Sequence, residues 1–299
     1  MLLDGVRKLL GRHQLPDGVP PPHAAEPFSP LAGPLDALAE DDDPVWPSAR
    51  IGIAESLWGE GFLFPGGGAE VLRLAKPLGL TEASSLLLVG AGTGGAPRWV
   101  AEQFGVWVTG YEVNPCLVEL ANDRSQRAGL GRRAQVGPWD PAAPQFPRHY
   151  FHHAMVLQAL CGAAPEPLLV AVARALKPGG QLVLLEAVAD LPLDPADPTV
   201  ATWIRLDHRT ATPPSELAMT GILRRLRFDV RIAEDVSRWE MREAVDRWRT
   251  AVQAMALARP APRQVCAVVR EAELWMARFR LMRAGRLRLV RWHALAPGT

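Results

Sequence analysis

Residues 86–115 read LLLVGAGTGGAPRWVAEQFGVWVTGYEVNP. The run from Leu86 to Val89 is apolar without alternation, which suits a strand buried on both faces. Glycines follow at Gly90, Gly92, Gly94 and Gly95. Where a strand turns tightly into a helix, residues without Cβ let main chain pass close to a ligand and aim the positive helix N-terminus at it. A helix over 94–104 and a second strand over 106–112, closing on Glu112, complete a β-α-β unit.

Working outward, the alternation persists. Upstream, a helix at 49–58 leads into WGEGFLFPGGG (58–68) and a helix over 67–77. Downstream come a helix at 115–128, strands at 133–136 and 150–157, and a helix from Pro165, a residue suited to a first helical position, to Leu176. The turn KPGG and the strand QLVLLEAV (181–188) follow. Such regular alternation predicts an α/β fold, a doubly wound parallel sheet covered on both faces. After Ala189 the rhythm changes. DLPLDPADPTV is turn-rich, SELAMTGILRRLRF opens on a serine cap and reads as a helix, and DVRIAED reads as a strand. Two helices, 237–258 and 263–283, precede GRLRLVRWHALA, which alternates like a strand with one buried face.

The folded body is expected over 49–299, with 1–48 as an appendage. There Leu2, Leu3, Val6, Leu9 and Leu10 share one helical face, and seven prolines between Leu15 and Pro34 forbid regular structure. No apolar run reaches 18 residues, and Asp4, Arg7 and Lys8 interrupt the N-terminus where a signal peptide needs a continuous apolar stretch, so a cytoplasmic chain without stable membrane insertion is expected. Cys116, Cys161 and Cys266 form no CxxC, which argues against a zinc site or disulfide framework and predicts small buried residues. Net charge is +1, but residues 200–299 carry 19 Arg against 10 acidic residues, leaving 14 basic and 22 acidic residues before them. Opposite signs in the two halves let them compensate each other within one fold and do not call for nucleic acid.

Gly90, Gly92 and Gly94 satisfy GxGxG, while Gly90, Gly92 and Gly95 satisfy GxGxxG. Glu112, ending the next strand about twenty residues on, would accept both ribose hydroxyls of a dinucleotide or of S-adenosylmethionine, so it leaves the cofactor open. The wider order of motifs resembles class I S-adenosylmethionine-dependent methyltransferases: folded residues before the glycine loop, Trp139-Asp140 after the third strand, ALKPGGQLVLLEAV (175–188) and a last alternating strand. WGEGFLFPGG is similar to the corresponding region of the phosphoethanolamine methyltransferase and cyclopropane synthase group.

The resemblance implies a seven-stranded, mostly parallel sheet with an antiparallel last strand, a helical cap at 237–285, and S-adenosylmethionine as cofactor. It places Trp58, Gly59, Glu60 and Gly61 near the methionine end, Gly90, Ala91, Gly92 and Gly94 under the cofactor, Glu112 and Val113 at the ribose, and Trp139 and Asp140 at the adenine. Two positions depart from the family pattern. Leu88 stands where an acid is usual, and RHYFHHAMVLQAL (148–160) lacks the Asp that tends to open the fourth strand. The implied activity is methyl transfer to a small-molecule acceptor, with oligomerisation open; the alternative is an inactive scaffold that binds a partner.

A sulfonium methyl is already electrophilic, so the protein must chiefly align the nucleophile and exclude water, and a base is needed only if the acceptor carries a proton. Histidine has a suitable pKa, and the candidates are His152 and His153 on the fourth strand and His208 in WIRLDHR (203–209), where Asp207, if the segment is extended, faces the other way. Gln158, beyond the carboxyl end of the fourth strand, lies where this fold class puts substrate contacts. Trp239, Trp248 and Trp275 are candidates for a pocket wall, although aromatics at helical spacing are more often core, and Arg238, Arg242, Arg249, Arg278 and Arg280 are candidates for binding phosphate or carboxylate, although solvated helix faces are the usual reason for them.

Overall fold

The structure is a computed structural model that describes residues 45–160, 163–210, 212–258 and 262–298. The amphipathic helix and nearly all of the arm expected over 1–48 lie outside the described residues.

Strand β1 (Ser85–Val89) lies inside the sheet, third in its order. It pairs in parallel with β2 (Trp107–Glu112) on one side and β4 (Phe151–Leu157) on the other. Its side chains alternate between two layers. Leu86 and Leu88 enter a core with helices α1 (Ser48–Trp58), α2 (Gly67–Ala75), α3 (Gly95–Phe104) and α4 (Pro115–Arg127). Leu87 and Val89 enter the opposite core with α5 (Pro165–Ala175). Both faces are dry, which is why the sequence shows an unbroken apolar run.

Strands β3 (Ala134–Pro138), β5 (Leu176–Val188), β6 (Asp229–Asp235) and β7 (Arg288–Leu295) complete the seven-stranded order β3-β2-β1-β4-β5-β7-β6. β7 runs antiparallel between β5 and β6. The chain turns back at β1 and β4, with β2 and β3 to one side and β5 to the other. The carboxyl ends of β1 and β4 are therefore the switch point where this architecture opens a crevice.

The remaining helices are α6 (Pro198–Leu206), α7 (Glu216–Arg225), α8 (Ser237–Ala258) and α9 (Pro262–Arg283). α7 joins the α5 layer through Met219, Ile222 and Leu223. α8 and α9 lie in the chain between β6 and β7, and α9 packs on α1 and α6. Among the described residues, no helix is long and apolar enough to cross a membrane.

Three expectations need correction. WIRLDHR is not extended: α6 covers Trp203–Leu206, started by Pro198 at its first position and by Asp197, whose side chain accepts from the N–H groups of Thr199 and Val200 at 2.7 and 3.3 Å. KPGG is not a free turn. Leu176 already pairs with Phe151, and pairing resumes at His153–Gln181 after a register shift, so the glycines form a bulge within β5. Cys116 and Cys266 are exposed rather than buried, Cys116 standing at the start of α4 and Cys266 on α9.

Candidate active site

The crevice between β1 and β4 deepens into a cavity of about 660 Å³. Its floor is the glycine loop. The N–H groups of Gly90 and Ala91 both donate to the carbonyl of Tyr111, at 2.9 and 3.1 Å, tying the loop to the end of β2. Gly90 has φ +84°, and a Cβ there would lie 2.3 Å from the Leu157 carbonyl oxygen, so only glycine fits between the two central strands. The Gly92 N–H donates to Glu112 Oε2 at 2.8 Å, while Glu112 Oε1 accepts from Val113 and Asn114 at 2.9 and 3.2 Å. Burial pushes the Glu112 carboxyl up, and these three backbone donors pull it down. Of about four acceptor positions on a carboxylate, roughly one remains, so in this geometry Glu112 has room for one ribose hydroxyl rather than two.

A second layer holds the floor in place. The Gly95 N–H donates to the Gly61 carbonyl at 2.9 Å, and a Cβ on Gly95 would sit 2.4 Å from that oxygen, so the turn after α1 lies directly on the first turn of α3. Glu55 of α1 gathers three partners. Its Oε1 accepts from the Gly61 N–H at 3.0 Å and the Thr93 hydroxyl at 2.9 Å, and Arg124 of α4 grips both of its oxygens, Nη2 to Oε2 at 3.0 Å.

The structure brings Gly61, Gly90, Ala91 and Gly92 to the cavity, together with Glu112 and Val113. Trp139 also lines it, largely buried, with its indole N–H lacking a partner. Gln158 and His208 line it too, both with positive φ, +47° and +50°, a backbone strain that non-glycine residues adopt at functional sites more often than elsewhere.

Other expected residues lie elsewhere. Trp58 is buried behind the wall, its ring 5.1 Å from that of Trp275, and Gly59 is absent from the lining. Glu60 is exposed, and Gly94 faces Ala121 of α4. Asp140 is exposed and caps its own loop through the Ala142 N–H at 2.8 Å. His152 and His153 sit at the amino end of β4, opposite Leu86 rather than Val89, about 13 Å below the crevice at ~3.3 Å per residue. His152 Nδ1 accepts from the Ser85 N–H at 2.9 Å, and burial pushes His153 down to about 4. Neither is placed to touch a ligand in the cavity.

The wall opposite the glycine loop contains the expected Trp275, together with buried ion pairs that the sequence expectations do not include. Arg278, for which a solvated face was the commoner expectation and an anion partner the other, is 5 % exposed and holds Glu240, itself fully buried, through Nε and Nη2 at 3.2 and 2.8 Å. Its Nη2 also donates to Gln158 Oε1 at 3.1 Å. Arg50 of α1 donates Nε to Glu271 at 3.2 Å, and Glu271 accepts the Trp275 indole N–H at 3.1 Å. Arg209 donates Nε to Asp207 at 2.6 Å. Burial pushes the carboxyls of Glu240 and Glu271 up, against the pull of their arginines. Glu271, Leu274, Trp275 and Arg278 recur at spacings of three and four on α9, so charged residues share the helix face of the apolar ones. That mixed face was the available signal. Of the three tryptophans considered for a wall, Trp275 lines the cavity, whereas Trp248 is core and Trp239 packs over Gly66.

The sheet order, the glycine loop and the acid ending β2 define the class: a doubly wound fold of the class I methyltransferase type. Residues 87–184, from β1 into β5, match the family described as "Methyltransferase domain". Over 145 residues the chain is 28% identical to phosphoethanolamine N-methyltransferase 2 of Caenorhabditis elegans, covering 48% of this chain and 33% of that protein. Over 166 residues it is 28% identical to sterol 24-C-methyltransferase of Eremothecium gossypii, covering 54% of this chain and 44% of that protein. The chain thus spans less than half the length of these relatives. Among solved structures, Haemonchus contortus phosphoethanolamine N-methyltransferase 2 in complex with S-adenosyl-L-methionine superposes with a TM-score of 0.71 at 18% identity, over 83% of this chain and 57% of that one.

Proposed function

We propose that the chain transfers a methyl group from S-adenosylmethionine to a small-molecule acceptor. The observation that carries this reading is Glu112 turned onto the Gly92 N–H at the rim of an open cavity, exactly where the fold binds nucleosides. The residues present suit the cofactor. Bare main chain at Gly90–Gly92 would underlie it, the spare acceptor position of Glu112 would take a ribose hydroxyl, and Trp139 would wall the purine with an unpartnered N–H. Leu88, the departure from the family pattern, faces the helix layer in the core, so it strips nothing from the cavity and gives the scaffold alternative little support.

Bound there, S-adenosylmethionine would supply an electrophilic sulfonium methyl, the acceptor's new bond to carbon replacing the carbon–sulfur bond, with a thioether left and any proton on the acceptor released. His208 is the imidazole among the described lining residues, and it would take that proton. The apolar wall of Leu63, Phe64 and Leu274 would exclude water from the reacting atoms.

Calorimetric titration with S-adenosylmethionine tests the reading. Gly92→Phe fills the cradle and Glu112→Ala removes the ribose acceptor, and each is expected to weaken binding by about tenfold or more, at least ~1.4 kcal/mol. Unchanged affinity in both variants would refute the site.

A further inference from the structure

The wall facing the glycine loop carries three arginines, and each is already matched twice. Arg50 pairs with Glu271 and lies 4.2 Å from the ring centroid of Trp46. Arg278 pairs with Glu240 and lies 5.5 Å from the Trp275 ring. Arg209 pairs with Asp207 and lies 4.8 Å from the Trp203 ring. Among the described lining residues on that side, the cationic side chains are these three arginines and the acids are these three partners, so formal charge cancels. The cancellation is within the three pairs: Glu186, fully buried, accepts from the N–H groups of Leu160 and Ala187 at 3.1 and 3.0 Å and is a further acid facing Arg209 and Arg278, which leaves those guanidiniums still less free for an anion.

Such a wall is poorly suited to a charged guest. A phosphomonoester would have to draw a guanidinium away from a buried carboxylate, leaving that acid unpaired where an unpaired charge is costly. An ammonium fares no better, because the indoles of Trp46 and Trp275 that would receive it each have a guanidinium beside them, and the carboxylates are engaged. What the cavity offers freely is apolar surface, from Leu63, Phe64, Pro65, Leu160 and Leu274. Resting on the methyltransferase reading, we infer that the acceptor is an uncharged, largely apolar molecule, and that the three arginine–acid pairs determine specificity by turning away phosphorylated and ammonium-bearing compounds. Transfer to a neutral X–H group forms the X–CH3 bond as the sulfonium S–CH3 bond breaks, sulfur keeping the bonding pair and the proton passing to His208.

A matched series isolates charge: 1-naphthol, 1-naphthyl phosphate and 1-naphthylmethylammonium, titrated at neutral pH against the full chain by tryptophan fluorescence, without cofactor. The naphthol is expected to bind more tightly than both charged analogues by about tenfold or more. Glu240→Gln, which frees Arg278 of its counter-charge, should narrow the gap to the phosphate by about tenfold. Equal or tighter binding of either charged analogue to the wild-type chain, or no preference among the three, overturns the inference, as does an unchanged ratio in a folded Glu240→Gln chain. Should that variant not fold, Glu271→Gln provides the same comparison beside Arg50. Because the series is read without cofactor, its failure is separate from a failure to bind S-adenosylmethionine, which would sink the methyltransferase reading instead.

Discussion

Removing the carboxylate of Glu55 should loosen the glycine loop and the preceding turn together. Its oxygens accept from the Gly61 N–H, the fully buried Thr93 hydroxyl and the Arg124 guanidinium, which belong to three different segments. Glu55→Ala leaves a cation and two polar groups without their acceptor. Breaking a buried ion pair from one side costs about 3–5 kcal/mol, and because the two side chains keep 14% and 18% of their exposure, the lower end applies, about 3 kcal/mol. For a domain of this size 1 kcal/mol corresponds to about 2–4 °C, so Tm should fall by about 6–12 °C in differential scanning calorimetry. Glu55→Gln keeps an acceptor for Gly61 and Thr93 and loses only the charge, so it should fall about half as far. S-adenosylmethionine affinity should follow the same order, since the turn carrying Gly61 and the loop carrying Gly92 share this anchor. A Glu55→Ala chain within about 1 kcal/mol of wild type, or one equal to Glu55→Gln, would refute the reasoning, because either result means the three contacts do not act through the carboxylate.

Two further outcomes follow from the same geometry. Gly90→Ala forces a Cβ to 2.3 Å from the Leu157 carbonyl at φ +84°, and combined overpacking and left-handed strain should cost about 2–4 kcal/mol, read as a lower midpoint in urea with unchanged m; a neutral substitution would mean β1 and β4 can part freely. His153, held down to about 4 by burial and then by the nearby His152 and His293, binds a proton in the unfolded chain below its ordinary value of 6.5 but not in the fold. Its contribution to stability is therefore complete above pH 6.5 and is lost as pH falls from 6.5 towards 4, by about 2–3 kcal/mol. His153→Gln should flatten that part of the stability–pH curve relative to wild type, the difference cancelling the carboxyls common to both chains; parallel curves would contradict it.

The parts of this molecule that were legible in its sequence are those whose cause is local. Leu86–Val89 shows as a strand because both its faces are buried, and Gly90 announces a turn because no other residue clears the Leu157 carbonyl. α6 was equally local, since Asp197 and Pro198 are a cap and a first position, but the surrounding prolines and aspartates read as turns and masked the start. His152 and His153 failed for a different reason. Position along β4 decides whether a side chain meets the crevice or the far edge of the sheet, and a histidine's identity says nothing about that. The wall facing the glycine loop is the extreme case. Arg278 and Glu240 stand 38 positions apart on two helices, and each taken singly resembles a solvated residue. Only when α9 lies against α1 and α6 do Arg50, Glu271, Arg278 and Glu240 converge on one cavity, so burial there is a tertiary property. Charge among the apolar positions of α9 was its one local trace. A buried ion pair adds little stability compared with apolar residues of the same volume, so pairs that line a cavity are better explained by what they admit to it than by what they hold together.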